Sequence, residues 1–413
     1  MATSLFTVPI PVLILGLVFI LIAIRQVGRL RLRIWQVMLG GALAVLVLGQ
    51  IPPLDALRSV NTDVMLFLFG MFVVGEAMER SGYLPALADR IFGRAHSHDQ
   101  FILLILLGMG LLSAILMNDT LAIIGTPLVI AYACRFGVPP KTALLALCFA
   151  VTIGSVMSPI GNPQNLLIAT YSQVPQPFVV FLIYLGLPTM VNLLVAFAML
   201  TWLNPIGKGE CRLEPQTDLI RDPRLADLCR ISLLLILVLI VTRVVTGPGF
   251  IPLSYIALAG AAPVILFSGQ RGAVLRNIDW ATLVFFVSMF VLMQSVYVTG
   301  FFQSMMDFST LQSVPVILGT SVVLSQFISN VPFAALFQPL MASKGMAIEG
   351  VMALAAGSTI AGNLTILGAA SNVIIIQNAE KRGYTLSFWE FFRIGLPLTV
   401  VNCVVYWIFL ALV

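Results

Sequence analysis

Four short polar islands interrupt a chain otherwise apolar enough to lie in lipid, and they constrain its fold more than any other feature. Met117-Asn118-Asp119-Thr120 is followed by the run Ser158–Asn165 (SPIGNPQN), and Ser329-Asn330-Val331-Pro332 is followed by the run Thr365–Asn372 (TILGAASN). At 60% hydrophobic and 9% charged over 413 residues, the chain carries far less charge than the roughly 25% of a soluble domain. It reads as an all-α polytopic membrane protein. Backbone that breaks its helix at membrane depth frees N–H and C=O groups that only protein or a watery cavity can satisfy. Paired breaks at corresponding places in two halves point to a transporter's binding site.

The apolar runs 101–117 and 119–135 meet at Asn118-Asp119, and 314–329 and 331–342 meet at Ser329-Asn330. Each pair is expected to form a re-entrant helical hairpin, 101–135 and 314–342. The stretches 142–170 and 350–378 are expected to be broken helices. The first apolar stretch, about Leu5 to Ile24, suits an uncleaved span of ~20 residues. Short inner loops carry the excess of Lys and Arg. On that rule Arg25–Arg33, Arg80–Arg94, Arg135 with Lys141, Lys208–Arg230, Arg271 with Arg276 and Lys381–Arg393 lie inside. With about ten crossings and two hairpins, both termini fall outside the cytoplasm of a bacterial-type inner membrane.

Four blocks recur in one order. Gly70–Tyr83 parallels Ser288–Phe301; Asn118 with Thr126-Pro127-Leu128 parallels Asn330 with Gln338-Pro339-Leu340; Thr152, Gly161 and Asn165 parallel Thr359, Gly368 and Asn372; Gly186-Leu187-Pro188 parallels Gly395-Leu396-Pro397. Residues 1–203 and 230–413 thus read as two five-crossing halves joined by a hydrophilic cytoplasmic linker, 204–229. An odd number of crossings in each half makes this an inverted repeat.

Asp119 is the one acidic residue placed deep within a membrane segment, where a carboxylate costs ~2.5–3.5 kcal/mol and is usually paired or cation-bound. It reads as a cation ligand or proton acceptor, and also as a cap for the helix that begins at Thr120. Asn118 and Asn330 offer an acceptor to a cation and a donor to an oxyanion, and Ser329 adds a hydroxyl. Pro159 and Pro163 remove donors and leave carbonyls free, while Gly161 and Gly368 permit unusual dihedrals. Those carbonyls, with Asn162, Asn165, Ser371 and Asn372, are expected to complete a hard-cation site. Substrate is expected at Asn118, Thr120, Ser329, Asn330, Asn162 and Ser371. Coupling is expected at Asp119, Asn118, Ser158, Gly161, Asn165, Asn330, Thr365, Gly368 and Asn372. Glu76 reads as a paired polar residue between helices or as a proton relay.

The net charge of +5 is spread over short loops and does not argue for nucleic acid. Five scattered cysteines show no CxxC or metal spacing and read as packing residues, and His96 and His98 read as a solvated loop. No Walker A, HExxH or GxSxG pattern is present, so neither ATP nor enzymatic chemistry is implied, and no cofactor is expected beyond a coupling Na+ or H+.

The stretches Asn118–Ile130, Ser158–Asn165 and Gln326–Pro332 resemble the ion transporter superfamily, which includes arsenical-pump membrane proteins, divalent-anion/sodium symporters and sodium/proton antiporters. The resemblance covers nearly the whole chain. It implies a scaffold domain and a transport domain that moves as an elevator, within a homodimer, carrying a small-molecule or inorganic anion across the bilayer. The expected activity is secondary active transport of a small anion or metalloid oxyacid, coupled to Na+ or H+. The alternatives are an Na+/H+ antiporter of the same fold and a passive anion channel. Relative to the symporters' Ser-Asn-Thr tips, the first tip here lacks the Ser and gains Asp119, which would repel a dianion unless a cation or proton neutralised it.

Overall fold

The computed structural model describes residues 8–24, 26–27, 30–31, 33–172, 174–203, 220–247, 251–301, 313–343 and 345–413. It is all-helical apart from a two-residue antiparallel pairing of Gln26–Val27 with Leu30–Arg31. In chain order the helices are α1 Ile10–Ile24, α2 Ile34–Val47, α3 Pro53–Ser59, α4 Thr62–Ser81 and α5 Tyr83–Phe92. Then follow α6 His98–Leu116, which contains one π-helical turn at Ile105–Met109, and α7 Asn118–Phe136. The first half closes with α8 Pro140–Ser155, α9 Pro163–Tyr171 and α10 Pro177–Leu203. The second half contains α11 Pro223–Thr246, α12 Leu253–Phe267, α13 Arg271–Asn277, α14 Trp280–Val298, α15 Val314–Ile328, α16 Asn330–Ser343, α17 Ile348–Ile360, α18 Ala370–Glu380 and α19 Phe388–Leu412.

Among the described residues six helices are long and apolar enough to cross a membrane, and five further apolar helices are shorter. A full crossing takes ~20 residues. Two of the six, α6 and α7, are the arms of the first hairpin, and the five shorter ones lie in α1, α2, α8, α12 and α15. Three short helices, α3, α5 and α13, were not expected as elements. Each follows a Pro, Gly or Gln and ends within ten residues, too short to show a periodic apolar face; α3 meets α4 at a bend of 54°. Residues 204–219 of the expected linker lie outside the described residues, and its last part is helical from Pro223. Asp222 caps α11 by accepting the N–H of Leu225 at 3.1 Å, and Pro223 occupies the first turn, a helix start favoured by both residue types.

Packing sorts the helices into two groups. In one, α4 lies against α12 and α11, and α14 against α2. The α4–α12 contact is close because Gly70 has no Cβ; one would stand 2.6 Å from the Ala257 carbonyl oxygen. In the other group α6 and α7 pack on α8, α15 packs on α17, and α10 packs on α19. The hairpins then cross over: α7 runs along α18, and α16 along α9. That exchange brings all four polar islands toward one level of the molecule.

Candidate ion and substrate site

Each hairpin reverses on a single residue. Met117 (φ 68°, ψ 140°) and Ser329 (φ 69°, ψ 152°) adopt the same left-handed backbone, a conformation that costs a side-chain-bearing residue ~1–3 kcal/mol. It lets the second arm begin at once: Leu121 N–H donates to the Met117 carbonyl and Phe333 N–H to that of Ser329. The positive ends of the α7 and α16 dipoles therefore sit at the tips, where they favour negative charge.

The first tip is docked on its own broken helix. Asn118 N–H donates to the Gly161 carbonyl at 2.9 Å, and Asn118 Oδ1 accepts the N–H of Asp119 at 2.9 Å. The Asp119 carboxylate has no hydrogen-bond or ion-pair partner among the described residues. Gly161 lies against the end of α8 so tightly that a Cβ would stand 2.4 Å from the Ser155 carbonyl oxygen; at Gly368 the corresponding distance, to Ala361, is 2.6 Å. Close backbone approach, rather than unusual dihedrals, is what both glycines supply.

The first break satisfies itself. Pro159 cannot donate to the Ser155 carbonyl four residues back. Asn165 Nδ2 does so instead at 3.2 Å, and also reaches the carbonyls of Val156 (3.2 Å) and Ser158 (3.1 Å). Asn162 caps α9 by accepting the N–H of Asn165 at 2.8 Å, and its Nδ2 donates to Ser155 Oγ at 3.0 Å. Ser158 Oγ accepts the Ile160 N–H at 3.3 Å. The carbonyl that Pro159 frees, that of Ser155, is thus not left open: side-chain amides from the same loop reach it.

The second break is braced from outside. Gln326 of α15 donates to the Ala361 carbonyl at 2.8 Å and accepts the Thr365 hydroxyl at 2.8 Å, while Asn372 Nδ2 donates to the Gly362 carbonyl at 2.6 Å.

The two breaks meet where α8 and α17 end. Thr359 Oγ1 accepts from Asn162 Nδ2 (3.3 Å) and Gln164 Nε2 (3.4 Å), and lies within donating distance of Asn165 Oδ1 (3.3 Å) and the Ala355 carbonyl (2.8 Å). The repeat pairs Thr359 with Thr152, and Gln164-Asn165 with Ser371-Asn372. Thr152 does lie against the second break, beside Gly362. Here no bonds close: Thr152 Oγ1, Ser371 Oγ and Asn372 Oδ1 are buried with no partner, and Asn330 Oδ1 is a fourth such oxygen. Unmet buried polar groups of this kind cost ~1–3 kcal/mol each and call for a specific explanation.

Most of the expected residues gather here: Asn118, Ser158, Gly161, Asn162 and Asn165 on the closed side, and Thr365, Gly368, Ser371 and Asn372 on the open one, while Asn330 is buried at the second tip. Ser329 is half-buried at the second tip. Thr120 stands apart. It packs against Gly75 of α4, its methyl 2.7 Å from where a Cβ would be, and so faces the other helix group rather than the breaks. Glu76 pairs with Arg80 at 3.6 Å, one turn on. Thr152, Thr359, Gln164 and Gln326 were not among the expected ligands, nor was the buried chain in which Asn363 donates to Asn402 (3.1 Å) and Asn402 to Asn192 (2.9 Å). A polar side chain inside an apolar helix was the available signal. The described residues contain no group of three or more His, Cys, Asp or Glu able to hold a metal.

A model of the citrate transporter family matches residues 17–350. The chain belongs to the citrate transporter family. That places it within the ion transporter superfamily its motifs resemble, and makes it a transporter. An uncharacterized transporter of Mycobacterium tuberculosis is 29% identical over 371 residues, 84% of this chain and 85% of its own. The silicon efflux transporter of rice is 27% identical over 435 residues, covering 87% and 89% of the two chains. Mouse P protein is 25% identical over 468 residues, 88% of this chain and 56% of its own. Two solved structures share the fold: the Alcanivorax borkumensis YdaH transporter (TM-score 0.56, 14% identity, 97% and 96% of the chains) and Neisseria gonorrhoeae MtrF (TM-score 0.60, 13% identity, 98% and 95%).

Proposed function

We propose that this transporter is a secondary active carrier of a small anion or metalloid oxyacid, driven by Na+ or H+. The observation that carries the reading is the open side of the site, where Thr152, Ser371 and Asn372 hold buried oxygens with no partner among the described residues, with Asn330 holding another at the second tip. An all-oxygen set suits a hard cation or the hydroxyls of a protonated oxyacid, and the unpartnered Asp119 supplies the charge that ion coupling needs. A family described by citrate and a relative described by silicon efflux bracket the substrate class. Buried acceptors without a basic residue among the site groups named above favour a neutral oxyacid, or an anion accompanied by its cation, over a bare polycarboxylate. The two helix groups, joined by thinner packing than either has within itself, support an elevator motion of the hairpin group. We place the carrier in the inner membrane with both termini outside the cytoplasm, and as a homodimer by analogy.

Reconstituted protein should accumulate oxyacid or citrate uphill under an imposed Na+ or pH gradient. Asp119→Asn should reduce that accumulation to background while the protein still inserts and elutes as a folded species. Full gradient-driven accumulation in the variant removes Asp119 from coupling. Sodium-driven proton movement without any anion would instead favour the antiporter reading, which the same oxygens also suit.

A further inference from the structure

Between the two helix groups lies a cavity of about 220 Å³, lined by Phe72, Gly75, Glu76 and Glu79 of α4, by Thr120, Ile123 and Ile124 of α7, and by Asn277, Ile278 and Asp279 where α13 passes into α14. Its α4 wall is one helix face, positions i, i+3, i+4 and i+7, which extends ~10 Å at 1.5 Å per residue. Among the described residues only one of its carboxylates has an ion pair. Glu76 is paired with Arg80. Asp279 is held only by the N–H of Thr282 (3.0 Å) and the Thr282 hydroxyl (2.6 Å), both neutral. Glu79 has Arg80, Arg221 and Arg382 in its electrostatic surroundings but no ion pair within 4.0 Å among the described residues. Asp119 lies one turn before Ile123 on the same α7 face, and Asp279 is within electrostatic reach of it.

Acidic residues alone would not make a site, but Thr120 adds an independent observation. It is only 7% exposed, lines the cavity, and its hydroxyl has no partner among the described residues. We propose that this cavity is an antechamber for a small hydrated monovalent cation, from which the ion reaches Asp119. Water occupies ~30 Å³ per molecule, so the space admits a cation with a shell of about six waters. The carboxylates are too dispersed to form a metal centre, which fits attraction through water rather than tight ligation. An acidic cleft with low-dielectric walls concentrates cations. The inference rests on the ion-coupled reading, yet its test does not require transport.

Thr120→Cys, in a background with the five native cysteines replaced, is treated in sealed vesicles with a cationic and an anionic methanethiosulfonate reagent, applied to each face separately. From one face the cationic reagent should react at least ten times faster, and adding Glu79→Gln with Asp279→Asn should bring that ratio to within about twofold of one. Equal rates in the parent, a ratio unmoved by the double substitution, or no reaction from either face would each overturn the proposal. Should Thr120→Cys fail to fold, Ile123→Cys on the same wall gives the same readout. Loss of the charge preference while Asp119→Asn still uncouples transport would refute the antechamber alone; intact coupling in Asp119→Asn would refute the functional reading instead.

Discussion

Thr359 and Thr152 hold equivalent places in the two halves, yet one hydroxyl engages three side-chain amides and the other engages nothing. The difference lies in what faces each. Thr359 meets Asn162, Gln164 and Asn165, whose amides bridge the gap; Thr152 lies beside Gly362, and the Asn372 amide spends its donor on the Gly362 carbonyl. A repeat that began with two equal crossings has one side locked by its own polar groups and one left with acceptors. The locked side reads as the frame of the site and the open side as the place where a ligand completes the bonding.

The strongest way to break this comparison is Asn165→Leu. The Val156 carbonyl loses its donor, the Ser155 and Ser158 carbonyls are left with the longer bonds from the N–H groups of Ser158 (3.4 Å) and Gly161 (3.3 Å), and the Thr359 hydroxyl loses Asn165 Oδ1. At ~1–3 kcal/mol for each group left unmet, the variant should be destabilised by a few kcal/mol and elute poorly in detergent. Wild-type thermal stability in that variant would show that the first break is not locked as described. Next in size is the isosteric pair. Thr359→Val should cost about 1–3 kcal/mol because its amide partners are stranded, whereas Thr152→Val should leave stability in the absence of ligand unchanged. Equal losses, read as thermal midpoints, would erase the asymmetry. Gln326→Leu should have a smaller effect, on the order of 1–2 kcal/mol, since it unbraces the Ala361 carbonyl and the Thr365 hydroxyl; the first half has Ala114 at the matching position and should tolerate Ala114→Ser with little change.

Sequence reasoning located the breaks well because polar residues are conspicuous in apolar surroundings. Asn118-Asp119 and Ser329-Asn330 do stand at the hairpin turns, and the arms begin and end within about three residues of the expected limits. It erred on how the breaks are satisfied. The carbonyl left by Pro159 was visible in the sequence; that Asn165, ten residues from Ser155, folds back to cover it depends on the path of the loop. Thr359 and Gln326 were passed over because one polar residue in a helix has no periodicity to mark it. Thr120 was grouped with its neighbours at the tip, but it is the 100° turn per residue that sends it toward α4 while Asn118 faces the break. The short helices α3, α5 and α13 carry too few residues for a helical pattern to emerge.

Sodium-dependent thermal stabilisation of Ser371→Ala and Thr152→Val, beside the wild type at fixed pH, tests the central claim most directly. Neither hydroxyl has a partner to lose, so both variants should melt as the wild type does without sodium. A ligand that binds only the folded state stabilises it by about 2.7 kcal/mol at a hundred times its Kd; the wild type should show such a rise, and both variants should lose most of it. An identical sodium-dependent shift in all three proteins, or none in the wild type, would contradict the assignment of the open side as the ion site.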